Sequence, residues 1–359
     1  MNPEVEVSLV EDSLRELEIG DGLYCAGKPD YESNFSRDSI IYALLAQDLT
    51  ALENQIKFSA YHQGSKVDSF TGEERGKIHH ELPGVRINGK LTTYNACDTT
   101  ALFLLGLSKL SETKPELLAA YITNIDRACE YINKHVIDGI FFETPRWCGG
   151  KNFALKVTYW KDSAQNGFKP EATYPVAYAL PHFQNAAALL GVGEAIGDSG
   201  VISQGNKMFQ RGIDAFWKDD HFVSSIDGEG YVCDPPSSDS LHCLAYIPPE
   251  IMPEEKAEAI GLYSQNLETA FGYRAGLPNG HTVDRYHTDY VWVFEQAFIH
   301  MGALNYGLER VEERALQVAG FLKNSFAELV GADDHMPVGN NPQLWSIGAY
   351  KYFKQFAAL

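Results

Sequence analysis

The sequence predicts an all-α fold, an (α/α)6 barrel of six outer and six inner helices. Three observations carry this. Helical segments of two kinds, one amphipathic and charged and one apolar nearly all round, alternate strictly, six of each. The links from inner to outer segments are short, whereas those from outer to inner are long. No sequence motif repeats, as an open α-solenoid would require; only the burial pattern does. A helix apolar on every side must be enclosed, so the uncharged set forms an inner ring and the charged set an outer one. The chain has 359 residues, which leaves about thirty per helix and connection. No Pro/Gly/Ser-rich linker divides it, so residues 1–359 read as a single catalytic domain.

In order, outer "SLVEDSLRELEI" precedes inner "RDSIIYALLAQ", and outer "LTALENQIKFSAYHQ" precedes inner "DTTALFLLGLSKL". Next comes "KPELLAAYITNIDRACEYINKHV", with six charged residues within 114–135. It is followed by "YPVAYALPHFQNAAALLG", where 175–191 holds no Asp, Glu, Lys or Arg. The last three pairs are "GNKMFQRGIDAFWKD" with "SDSLHCLAYI", "PEEKAEAIGLYSQNLETAF" with "TDYVWVFEQAFIHMGAL", and "LERVEERALQVAGFLKNSFAEL" with "NPQLWSIGAYKYF". The long links run roughly over 19–36, 65–97, 136–173, 217–238, 269–288 and 328–341. In an alternating ring all six emerge at one end, and long connections in a compact domain are usually functional.

Composition narrows the function. A net charge of −19 repels phosphate backbones and anionic lipid, which argues against nucleic-acid and membrane partners. No segment has the length of a membrane span, and the N-terminus lacks the basic and apolar regions of a signal peptide. Cys25, Cys97, Cys129, Cys148, Cys233 and Cys243 form no CxxC pair and read as reduced thiols of a cytoplasmic protein. No phosphate-binding loop, dinucleotide fingerprint or nucleophile elbow is present, and no cofactor is expected. Oligomeric state is not encoded in any of these features.

The unusual residues fall in the long links. Trp147, Trp160, Trp292 and Trp345 lie in or just after them, with several carboxylates. Rings and acids gathered at one end of a barrel point to a carbohydrate pocket, because sugar C–H faces stack on indole and hydroxyls bind charged and amide groups. Glycoside hydrolysis needs one carboxyl to protonate the leaving oxygen and a second to activate water or attack. Asp162, beside Tyr159 and Trp160, suits the donor; the plain alternative is a turn cap with Ser163. Glu328, read as the end of the last outer helix and disfavoured there by the helix dipole, suits the base. Glu295, within "VWVFEQAF", is its rival or a scaffold residue. Arg37 and Asp38 open the first inner helix, where they either pair with each other or clamp sugar hydroxyls. Asp98 and Asp239 each begin an inner helix and are either N-caps or site residues. His79, His80 and Glu81 read as pocket wall rather than a metal site, since neighbouring histidines diverge and no H-x-x-x-H partner follows.

Taken together these stretches resemble a known family. "NFSRDSIIYALL" is similar to the first inner helix of the glucosidase (amylo-1,6-glucosidase) domain of glycogen-debranching enzymes and of glucoamylases, where an Arg-Asp pair grips the terminal glucose. "GKIHHE" with "YNACDTTALFLLGL" resembles their "G-x-I-x-H-E … D-A-T", and "VTYWKDS" their "T-W-M-D", whose aspartate is the general acid. "YHTDYVW" resembles "Y-H-R-G-x-V-W-P", without its glycine and final proline. "FAEL…NNPQLWSIGA" is similar to "S-E … Q-A-W-S", whose glutamate is the general base. The likeness runs from about residue 22 to 353. It implies an inverting exo-acting α-glycosidase with Asp162 as acid and Glu328 as base. Arg37 and Asp38 would hold the non-reducing-end sugar, and Glu81, Asp98, Trp160, His287 and Trp345 would line the pocket. The chain is little more than the barrel, which points to a small glucoside or oligosaccharide rather than glycogen. The alternatives are a sugar isomerase or epimerase working through histidines, a phosphorolytic relative, and a non-catalytic saccharide-binding protein.

Overall fold

The computed structural model describes residues 3–162, 173–277 and 285–357. Its helices form a closed double ring. The outer members are α1 (Pro3–Leu17), α3 (Leu49–Tyr61), the broken arm α5 and α6 (Glu116–Ala120 and Ile122–His135), α8 (Ser199–Phe216), α10 (Glu254–Tyr263) and the broken arm α12 and α13 (Glu309–Leu316 and Val318–Leu322). The inner members are α2 (Ser36–Ala46), α4 (Thr99–Ser111), α7 (Ala179–Ile196), α9 (Asp239–Cys243), α11 (Val293–Tyr306) and α14 (Leu344–Phe353). The predicted alternation is present. The fourth inner helix, α9, is only one turn long, and two outer arms bend rather than run straight.

Burial explains the order. Arg37, Asp38, Ile40, Ile41, Tyr42 and Leu45 of α2 are all buried, as are Leu180 to Ala186 of α7. Each inner helix packs on the next, and α14 packs on α2 to close the circle. Gly348 allows that closure: a Cβ there would meet the Tyr42 Cα at 3.0 Å. Tight corners join inner to outer helices. Gln47, Gly197 and Gly307 end α2, α7 and α11 in the left-handed region. Asp48 and Asp198 then cap α3 and α8, accepting from Ala51 N at 3.0 Å and Gly200 N at 2.8 Å.

The long links meet at the opposite end, where short strands tie them together. Asn34–Phe35 pairs antiparallel with Glu81–Leu82, with Phe35 opposite Glu81. Tyr290–Trp292 pairs with Leu329–Gly331, Trp292 opposite Leu329, and Leu329–Gly331 continues to Pro337–Val338. The first of these strands runs directly into α2 and the second into α11. Among the described residues, no helix is long and apolar enough to cross a membrane.

Candidate active site

The strands and inner-helix starts frame a partly open cavity at the link end of the barrel. Arg37, Asp38, Trp160, Asp162, Glu328 and Trp345 line it, together with Ala26, Tyr31, Phe35, His80, Tyr286, Trp292 and Gln343. Six of the nine residues expected at the site therefore lie in the lining of one cavity. The other three sit behind it.

Asp98 is engaged by Arg37, whose Nε and second terminal nitrogen donate to its two oxygens at 2.8 and 3.0 Å. Neither side chain exceeds 4% exposure. This corrects the Arg37–Asp38 pairing: Arg37 reaches across to the second inner helix, because a bidentate fork needs a carboxylate facing it rather than one on the next residue. Asp98 occupies the N-cap position of α4 without making a side-chain cap bond. Glu81 accepts from the Thr92 hydroxyl behind the wall. His287 stacks on the back of Trp292, ring centroids 4.8 Å apart and planes 3° from parallel. It supports a lining ring rather than forming the wall itself.

Glu328 stands just before the strand Leu329–Gly331 and not at a helix end, since α13 stops at Leu322. The helix-dipole reading of this residue therefore does not apply. Tyr286 Oη donates to its Oε1 at 2.5 Å, and Asn340 N donates to its Oε2 at 3.2 Å. Gly339 is needed beside it: φ is +80°, and a Cβ would lie 2.3 Å from Oε2. Burial raises the Glu328 pKa; the Tyr286 and Asn340 bonds oppose that rise, and the Asp162 charge adds to it. Glu295, the rival base, is fully buried on α11, accepts from Ser238 Oγ at 2.7 Å and lies outside the cavity lining.

Asp162 follows a strongly anchored segment. Ala154 N donates to Asn95 Oδ1 at 2.7 Å, and Cys97 N to Thr158 O at 2.7 Å. Burial raises the Asp162 pKa, opposed by the charges of Arg37 and His287. Ser163, its suggested turn partner, lies outside the described residues. Trp160 packs edge-on against Trp292, ring centroids at 5.2 Å, and Trp345 stacks on Phe294 at 4.1 Å. Trp147, also on a long link, packs instead near Lys134 and His135, away from the cavity.

Asp38 is the third carboxyl in the cavity. It accepts from Gln343 Nε2 at 3.1 Å. Burial is the leading influence on it; Arg37 opposes, the charges of Glu328 and Asp162 add, and the result is a pKa pushed up to about 8. The pocket thus holds three carboxyl groups, each shifted toward keeping its proton. The indole N–H groups of Trp160 and Trp345 and the Gln343 Oε1 are buried without a hydrogen-bond partner among the described residues.

Tyr31, Phe35, Tyr286 and Gln343 were not singled out as site residues from sequence, whereas His80 was read there as pocket wall and Trp292 as one of the link tryptophans. Tyr286 and Gln343 lie one and two positions from predicted residues, so the motif stretches held them. Asp239 proves to be neither an N-cap nor a lining group: its two oxygens face Lys161 Nζ at 2.8 Å and the Tyr159 hydroxyl at 3.0 Å. Among the described residues, Glu74, His135 and Glu143 have metal-ligand spacing and are all buried. Glu74 there accepts from His135 Nε2 and from Lys134 Nζ at 3.0 Å, and Glu143 pairs with Lys77 at 3.4 Å. That group reads as a satisfied ion network.

No protein-family model and no curated protein matches this chain. Solved structures do match. A GH63 mannosylglycerate hydrolase from Thermus thermophilus, determined in complex with glucose, superposes with a TM-score of 0.72 at 12% identity, covering 97% of this chain and 99% of that one. The same hydrolase with Tris and D-glycerate gives 0.72 at 11% identity, again over 97% and 99%. A structure described as a wild-type glycosidase gives 0.64 at 13% identity, covering 98% of this chain and 95% of that one. Likeness over nearly the full length of both chains, at identities this low, establishes the architecture: the chain is an (α/α)6 barrel of the kind found in these hydrolases.

Proposed function

We propose that this protein is a glycoside hydrolase acting on terminal α-linked glucose in a small glucoside or oligosaccharide, with inversion at the anomeric carbon. One observation carries the reading. Two carboxyl groups from distant links, Asp162 and Glu328, line one aromatic-walled cavity and sense each other's charge. In this reading Asp162, whose burial favours its protonated form, gives its proton to the glycosidic oxygen as the bond to the anomeric carbon breaks. Glu328 takes a proton from a water that attacks the opposite face of the sugar. The products are the free alcohol and a hexose of inverted configuration. Such chemistry calls for carboxyl groups about 6.5–9.5 Å apart. The names of the matching structures, a mannosylglycerate hydrolase and a glycosidase, also support hydrolysis of a small glycoside.

The test is a panel of α-linked di- and trisaccharides with glucosyl- and mannosyl-glycerate, the product anomer being read by proton NMR. The β-anomer is expected first; the α-anomer appearing first would remove the inverting mechanism. The isomerase reading rests on His80, a histidine in the cavity lining. Conversion of a free monosaccharide that survives Asp162→Asn would select it.

A further inference from the structure

Lys161 is the residue just before the proposed acid, and it is 3% exposed. A buried ammonium is costly unless it is paired and hydrogen-bonded. Here it is satisfied on several sides. Its Nζ lies 2.8 Å from Asp239 Oδ1 and donates to Ser237 Oγ at 2.8 Å, Ser238 Oγ at 3.1 Å and the Ala275 carbonyl at 2.8 Å. It also sits 4.8 Å from the centre of the Trp160 ring. Asp239, 2% exposed as a side chain, takes the Tyr159 hydroxyl on its other oxygen at 3.0 Å. Two residues of the acid-bearing segment therefore grip one carboxylate at the start of α9. The contacts extend further, since Ser238 Oγ donates to Glu295 Oε1 at 2.7 Å and His242 Nδ1 lies 3.5 Å from the same oxygen.

The arrangement has a direction. Trp160 and Asp162 face the cavity, while Tyr159 and Lys161 reach away from it into the barrel wall. Lys161 and Asp162 are joined by one planar peptide, so a backbone held at Lys161 restricts where the Asp162 carboxyl can lie. The cation is also spent on Asp239, so it does not pair with the acid beside it. Helix α9 is one turn long, with all five residues buried between α7 and α11, and the ion pair ties this fixed element to the acid segment.

We infer that Lys161, through its buried pair with Asp239, is a positioning residue for the proton donor Asp162. The inference rests on the glycosidase reading above. General acid catalysis matters for poor leaving groups and little for good ones, and this supplies a readout that a merely structural role would not move. Lys161→Met should lower kcat on an alkyl α-glucoside about a hundredfold with KM nearly unchanged. On α-glucosyl fluoride, whose leaving group needs no such protonation, the loss should stay within about fivefold. Equal losses on both substrates, or no loss on either, would overturn the proposal.

Because Lys161→Met leaves Asp239 buried and unpaired, the double variant Lys161→Met/Asp239→Leu removes both charges. It should fold and show the same split between substrates; a folded double variant with wild-type activity on the alkyl glucoside would also overturn it. If the wild type cleaves neither substrate, the glycosidase reading falls and the peg is judged by hydrogen exchange. Amides 157–162 should exchange at least about tenfold faster in the double variant than in the wild type, and unchanged exchange would reject the peg.

Discussion

The two carboxyl-bearing walls of the cavity are built on different principles. Glu328 precedes a strand of a three-stranded sheet and is held directly, by the Tyr286 hydroxyl and the Asn340 amide. Asp162 follows a loop segment whose described anchors act on its neighbours: Thr158 through Cys97, Tyr159 and Lys161 through Asp239. Donors aimed at a carboxyl favour its anion, whereas burial favours the protonated acid. The Glu328 wall thus holds its carboxyl directly, and the Asp162 wall holds the backbone leading to it, while burial is the leading influence that raises both.

The largest test of that contrast is to remove each carboxyl's function while keeping its shape. Asp162→Asn and Glu328→Gln are each expected to lower turnover on an alkyl glucoside by about 10²–10⁴-fold, measured as released reducing sugar. Only Asp162→Asn should be largely spared with a fluoride leaving group. If both variants behave alike on both substrates, the two walls do not differ in role.

A smaller effect is expected from Tyr286→Phe, which takes one donor from Glu328. The Tyr286 bond holds the Glu328 pKa down against burial, so its loss should raise that pKa. The acidic limb of the kcat/KM profile then moves to higher pH, with a loss of about tenfold at neutral pH, a fraction of full acid–base catalysis. A limb that moves the other way, or stays in place, would show that the bond does not tune the base.

The smallest effect is on stability and comes from the third carboxyl. Burial raises Asp38 from 3.8 to about 8. A raised acid binds more protons in the folded state than in the unfolded one, so its contribution to stability falls as pH rises through that interval. Asp38→Asn should flatten the decline between about pH 4 and pH 8, read as Tm against pH, and should make little difference below it. A variant that follows the wild-type curve would remove Asp38 as its source.

Much of the architecture was legible because burial leaves a local trace. The uncharged run of 175–191 could only be an enclosed helix, and it is α7. The one-turn α9 was less legible, since "SDSLHCLAYI" is apolar well beyond the Asp239–Cys243 helix. The site was legible where a residue type announces its chemistry. Acids beside tryptophans in long links identified Asp162, and the "RDS" and "QLWS" helix starts identified Arg37, Asp38 and Trp345 as lining residues. Asp98, His287 and Glu81 stand one layer further back than the sequence suggests. From sequence, a charged or aromatic residue at a helix start looks the same whether it meets a ligand or the side chain that does.

By itself the sequence determined the ring: which helices are inner, which are outer, and at which end the long links gather. Periodicity and charge act over a single helix, so neighbouring residues suffice to read them. The tertiary structure decided the partners, Arg37 with Asp98, Tyr286 with Glu328 and Lys161 with Asp239. Each pair joins residues far apart in the chain, through a hydrogen bond or ion pair that forms only at contact distance. A pattern of burial says that a polar group must be satisfied, and closing the ring selects the group that satisfies it.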